Sequence, residues 1–211
     1  MRLKIFPGLA LVCAIGFSTT ANAAPILGQV DDFEDGTTQG WVINLLGMGS
    51  PPPATLPQNI ATGGPAGVDD NFLQLTSIGG NVAGGRLTAA NPFGQWAGDY
   101  LASGITVISM DVRNLGTSDL ELRLLFEDPT FMTGPANIAV STDSIFLAAG
   151  GGWQSVLFPI VPSALTAVLG NVNDVLSNTT VVRIFHSPTA AFPVSRRMSG
   201  SLWPWVYAYP L

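Results

Sequence analysis

The chain has 211 residues, of which only 10% are charged, against about 25% in an ordinary soluble domain. It carries 8 basic and 14 acidic residues for a net charge of −6, a surface that repels nucleic acid and anionic lipid and excludes both as expected partners. With 47% apolar residues, 24 Gly and 16 Pro, it can bury a core and is rich in turn formers, which excludes a disordered chain and suits a β protein.

Arg2 and Lys4 precede an apolar run over 5–17, and Ala21-Asn22-Ala23 is a small-x-small site. Residues 1–23 therefore read as a cleaved secretory signal peptide, with the mature chain starting at Ala24. The run is too short to span a bilayer and no later segment is apolar for long enough, so no transmembrane anchor is expected. The expected location is secreted: extracellular, cell surface or periplasm. The one cysteine, Cys13, falls in the leader, so the mature chain has no disulfide, thiolate metal site or cysteine nucleophile. Losing Arg2 and Lys4 takes the net charge from −6 to −8 and leaves arginine as the only cation.

The stretch 29–41, QVDDFEDGTTQGW, reads as a first strand running into a turn. On a strand Asp32 and Glu34 would share one face, opposite Asp31, Phe33 and Asp35. A strand is expected over 42–46. Residues 47–67, with Pro51-Pro52-Pro53, read as a long surface loop. Residues 72–76 read as an alternating strand, 86–88 as a short one, and 91–104 as a loop carrying Trp96 and Tyr100. The segments 105–114, ITVISMDVRN, and 120–127, LELRLLFE, alternate with period two around a turn-rich 115–119, the pattern of a hairpin. Thr106, Ile108, Met110 and Val112 are its expected core face in the first strand. In the second, Leu120, Leu122, Leu124 and Phe126 face the core, and Glu121, Arg123 and Glu127 face solvent.

Further strands are expected over 138–140, 144–147 and 153–158. Residues 163–176 are the one expected helical piece, with Ser163 as its cap. TTVVRIFH, 179–186, is a β-branched strand. The tail, 193–211, gathers Arg196, Arg197, Trp203 and Trp205 without alternation and reads as a poorly packed or altered terminus. The fold class that follows is all-β, an antiparallel jelly-roll β-sandwich forming one domain over 24–192.

No catalytic constellation emerges. His186 is the only histidine, and no Gly-x-Ser-x-Gly occurs. Glu121 and Glu127, on one strand, would stand about 20 Å apart, too far to cleave a glycoside as a pair. The protein is expected not to be an enzyme. Trp41 and Trp153 each follow glycine at a strand start and read as core, whereas Trp96 and Tyr100, in a Gly-rich loop, are the candidate ligand-binding aromatics.

At Asp31-Asp32-Phe33-Glu34-Asp35-Gly36 followed by Gly40-Trp41, and at Gly152-Trp153-Gln154-Ser155-Val156, the chain resembles the jelly-roll modules of secreted bacterial proteins. These include carbohydrate-binding modules and exported β-sandwich proteins of the PEP-CTERM type. The resemblance implies a structural calcium as cofactor, with Asp32 or Glu34 as its first-strand ligand, and a polysaccharide or extracellular matrix as partner. The chain departs from the pattern in 193–211, where neither a Pro-Glu-Pro sorting motif nor an Asp-bearing last strand occurs. Two other readings stand beside the non-enzymatic binder. One is a self-assembling sheath or filament subunit, because low charge and apolar strands suit edge-to-edge self-association. The other is a jelly-roll glycan hydrolase or lyase.

Overall fold

A computed structural model describes residues 25, 27–43, 51–80, 85–92, 94–130 and 134–192. The expected leader over 1–23, the tail 193–211 and most of the expected strand 42–46 lie outside the described residues. The described chain is all-β. Its strands are β1 (Gln58–Ile60), β2 (Phe72–Gln74), β3 (Thr88–Pro92), β4 (Val107–Val112), β5 (Leu120–Thr130), β6 (Gly134–Ser141), β7 (Ile145–Leu147), β8 (Gln154–Pro159), β9 (Leu165–Leu169) and β10 (Val181–His186). Two short helices, α1 (Tyr100–Ser103) and α2 (Val172–Ser177), interrupt them.

Every strand pairing is antiparallel. The main sheet runs β3-β10-β5-β6-β9, with β7 also on β5; β4 pairs with β8, and β1 with β2, in two small sheets. Side chains of β4 and β8 (Ile108, Val156, Phe158) share one buried cluster with Leu122, Leu124 and Phe126 of β5 and Val182 of β10. Strand β5 is the centre of this arrangement because its sequence is apolar at consecutive positions, Leu124, Leu125 and Phe126, each wholly buried. Such a run suits a strand covered on both faces. Leu125 lies on the opposite face, in a second cluster with Ile138, Val140 and Phe185, against which Ala190 and Phe192 pack.

Several expectations change here. The segment 29–41 is not a strand; the chain reaches the sheet only where Val42 bridges Ala90. Acidic and hydroxyl side chains bind nearby backbone there, as Thr37 N does to Asp35 at 2.8 Å, and this competes with a strand ladder. The two alternating segments 105–114 and 120–127 do form strands, but not a hairpin: β4 pairs with β8, and β5 with β10, β6 and β7. A period of two decides which side chains share a face and is silent about the partner. At the crossing point Asn114 is buried and gives its amide to Ser118 O at 2.8 Å and Leu147 O at 3.0 Å, which directs the chain from one sheet to the other.

Of the expected core faces, Ile108, Leu122, Leu124 and Phe126 are buried and Met110, Val112 and Leu120 pack against their cluster, whereas Thr106 is exposed. The expected solvent face of β5 does not hold, since Arg123 and Glu127 are buried as well. The guanidinium of Arg123 is solvated by carbonyls, donating to Ser187 O at 3.0 Å, Ser141 O at 2.8 Å and Thr142 O at 2.7 Å. Glu127 forms an ion pair with Arg183 of β10.

The expected loop 47–67 contains β1, and 91–104 contains the end of β3 and helix α1. Asp99 caps α1 by accepting from Ala102 N at 2.8 Å. The short strand expected over 86–88 begins at Thr88 instead, because Ala89, Ala90 and Asn91 pair with β10. The helix expected over 163–176 is three pieces: a 3-10 turn (Pro162–Ala164), β9 and α2. Its cap is Asn171, accepting from Asn173 N at 2.7 Å, and not Ser163. The run Leu165–Leu169 pairs with β6 because tertiary contact overrides a weak helix preference.

Glu127→Gln leaves the Arg183 guanidinium without its counter-charge in a largely buried position. Urea unfolding is expected to show a loss of about 3 kcal/mol, and the double variant Glu127→Leu/Arg183→Met to recover most of it. An unchanged midpoint for the single variant would show that the pair is solvated.

Candidate functional site

The acids of 29–41 converge on aromatic rings. Asp31 Oδ2 accepts from Trp41 Nε1 at 2.8 Å and from Trp96 Nε1 at 2.6 Å; its Oδ1 accepts from Gln95 Nε2 at 2.8 Å. Gln95 also donates to Gln39 O at 3.0 Å, and Asn91 does so at 2.9 Å. One carboxylate therefore ties the N-terminal segment to the 94–100 loop. An indole N–H buried without an acceptor is costly, and a charged acceptor shared by two of them is a strong arrangement.

Asp32 and Glu34, the expected calcium ligands, are exposed and serve different loops. Asp32 Oδ1 accepts from Glu34 N and from Gln39 Nε2, each at 3.2 Å. Glu34 Oε1 accepts from Asn71 N at 2.9 Å. Between them the chain turns through Phe33 at φ +61°, in the left-handed region that a bulky residue adopts only when held there. Asn59 Nδ2 holds it, donating to Phe33 O at 2.6 Å and Thr37 O at 2.8 Å. The nearby Asp35 carboxyl is held below its ordinary pKa range, first by the Thr37 N–H and then by the Thr37 hydroxyl. The donor set around Asp31 is all N–H, which suits a bare carboxylate and not a metal ligand. Asp32, Glu34 and Asp35 each use one oxygen in this network and are exposed, which leaves each with a second oxygen of the kind a hard cation takes. Among the described residues no group of three or more His, Cys, Asp or Glu is gathered as a metal cage.

Trp96 and Tyr100 both line a cleft of about 150 Å³, walled by Pro25, Leu27, Gln29 and Ile105. Their roles differ. Tyr100 is 1% exposed, packs edge-on against Phe126 with ring centroids 5.4 Å apart, and donates its hydroxyl to Trp96 O at 2.7 Å. Burial pushes its phenol pKa well up. Tyr100 is thus a core residue that braces Trp96, and not a ring offered to a ligand, because α1 turns it inward. Trp96 is half-buried, with its N–H spent on Asp31.

Trp41 is buried as expected, but Trp153 is only half-buried, its Nε1 donating to Gly63 O at 3.0 Å. The residue that sequence reasoning passed over is Asp31. Its signal was the number of indole donors to be satisfied, but only the fold brings Trp96 beside Trp41.

The lining of the cleft contains no carboxylate, histidine or cation. The acids of β5 lie elsewhere and are engaged: Glu127 with Arg183, Asp128 with Asn137 Nδ2 at 3.1 Å, and Glu121 with the Ser144 hydroxyl. His186 is exposed at the end of β10, its Nδ1 accepting from Glu121 N at 2.9 Å. The polar side chains of the cleft are Gln29, Ser109, the Trp96 indole and the Tyr100 phenol, the last two already hydrogen-bonded. No known protein family, no curated protein and no solved structure matches this chain.

Asp31→Ala orphans two indole N–H groups. A loss of about 1–3 kcal/mol for each group left buried is expected in chemical denaturation, with a change in tryptophan emission. Asp32→Ala, at an exposed position, is expected to stay within about 0.5 kcal/mol. Equal effects for the two would contradict the assignment of Asp31 as the tie.

Proposed function

We propose that the protein is a secreted, non-enzymatic binding protein on a jelly-roll β-sandwich, and that its ligand is a polysaccharide of the extracellular matrix. The observation that carries this reading is Trp96. Its indole N–H is fixed by Asp31, its backbone carbonyl is held by the Tyr100 hydroxyl, and it borders a cleft with no charged side chain in its walls. A ring held before binding loses little entropy when a ligand meets it. At about 150 Å³ the cleft is smaller than the roughly 300–1,000 Å³ that enclose a drug-sized molecule. It suits one ring of a longer chain, gripped at its side. The uncharged walls and the chain's net charge of −6 favour a neutral glycan over an acidic one.

Affinity electrophoresis through gels containing neutral polysaccharides tests this. Retardation of the wild type is expected, weakened about tenfold by Trp96→Ala, which is roughly 1.4 kcal/mol. Migration unaffected by any neutral or acidic polysaccharide would overturn the reading.

Calcium belongs to the same proposal as a stabiliser of the 29–41 segment, taken up through the exposed oxygens of Asp32 and Glu34. Free calcium at 100 times its Kd would add about 2.7 kcal/mol, or roughly 5–10 °C in Tm for a chain of this size. Thermal unfolding in calcium and in chelator measures it. Coincident curves would remove calcium from the proposal and leave the glycan reading in place.

A further inference from the structure

The β1–β2 pair presents a second surface with the features of a glycan contact. Its register places Gln58 opposite Gln74 and Ile60 opposite Phe72, so these four side chains share one face. The other face is turned inward: Leu73 packs on the main cluster and Asn59 donates to Phe33 O. The Gln58 face is therefore the outer one, with Gln58 exposed and the other three half-buried.

Trp153, just ahead of β8, stands against this face. Its ring meets Phe72 nearly edge-on, with centroids 5.3 Å apart at 80°. Its Nε1 is anchored on Gly63 O at 3.0 Å, in the connection between β1 and β2. That connection is itself closed by Gly63 N to Gly67 O at 3.0 Å and Gly64 N to Asp70 O at 2.9 Å. The two rings form a fixed corner.

About 7 Å along the strands, two residues on, lie the amides of Gln58 and Gln74. Neither amide makes a side-chain hydrogen bond to a described residue, so each offers a free donor and a free acceptor. None of the four hairpin positions carries a charge. A fixed aromatic corner with free amides beside it and no charge matches the apolar face and ringing hydroxyls of a neutral sugar. An anionic polymer finds no cation on these strands, and a protein partner would need a far larger apolar area than two rings and Ile60 supply.

We infer that the outer face of β1–β2, together with Trp153, is a second contact surface for a neutral polysaccharide chain. This rests on the reading of the protein as a glycan binder. Two contacts on one polymer raise avidity well above that of either alone.

Calorimetric titration of the intact protein with cellohexaose, laminarihexaose and polygalacturonate tests it. The variants are Gln58→Ala/Gln74→Ala, Trp153→Phe and Trp96→Ala. The glutamine variant removes no side-chain hydrogen bond to a described residue and is expected to stay close to the wild-type Tm, which holds the test open should Trp153 variants fold poorly. The expected result is binding to a neutral hexasaccharide, weakened about tenfold by the glutamine variant and by Trp153→Phe, with polygalacturonate not bound. If both variants bind like the wild type while Trp96→Ala abolishes binding, this surface is overturned and the function stands. Equal binding of polygalacturonate overturns the neutral specificity of the surface. If none of the three glycans binds, the surface and the function fall together.

Discussion

The Asp31 carboxylate, shared by the Trp41 and Trp96 indoles, is the contact on which the rest of the candidate site depends. Trp41 is buried in the main cluster, whereas Trp96 stands at the rim of the cleft. A single acid thus couples buried Trp41 to Trp96, which lies 65 positions from the acid itself. Without it, the 94–100 loop would be joined to the N-terminal segment mainly through Gln95 and Asn91, both of which donate to Gln39 O. The charge matters because one neutral oxygen serving two indoles would be the weaker acceptor.

The second constraint is the two-sided burial of β5. One face supplies the cluster shared with β4 and β8; the other supplies Leu125 to the cluster closed by Ala190 and Phe192. A strand covered twice must settle any charge it carries, and Arg123 and Glu127 are settled in different ways. Arg123 gathers carbonyls from Ser141, Thr142 and Ser187, tying the β6–β7 turn to the segment after β10. Glu127 takes Arg183, whose guanidinium lies 5.6 Å from the Phe192 ring centre. Cation–π contact and the ion pair together hold that segment over the sheet.

The proposed binding role rests on rings whose positions are fixed. The titratable side chains with geometric partners are engaged in holding loops and sheets together. Two half-buried tryptophans, Trp96 and Trp153, each have their indole N–H anchored, on Asp31 and on Gly63 O. A ring that cannot swing loses little freedom when a ligand meets it, which is what the proposed binding role draws on.

The sequence by itself determined the all-β class, the strands of 107–112, 120–127, 154–158 and 181–186, and the core faces led by Ile108, Leu124 and Phe126. Alternation and β-branching are local, and each side chain's preference for the pleat can be read without knowing its neighbour. Only the tertiary structure decided that β4 and β5 part into different sheets, that Glu127 is buried with Arg183, and that 29–41 is a hydrogen-bonded turn region instead of a strand. It also decided that Tyr100 is core, that Trp153 is at the surface, and that Asp31 rather than Asp32 or Glu34 is the organising acid. Those outcomes depend on which distant groups meet. Hydrogen-bond donors and countercharges 56 or 65 residues away leave no period in the local sequence.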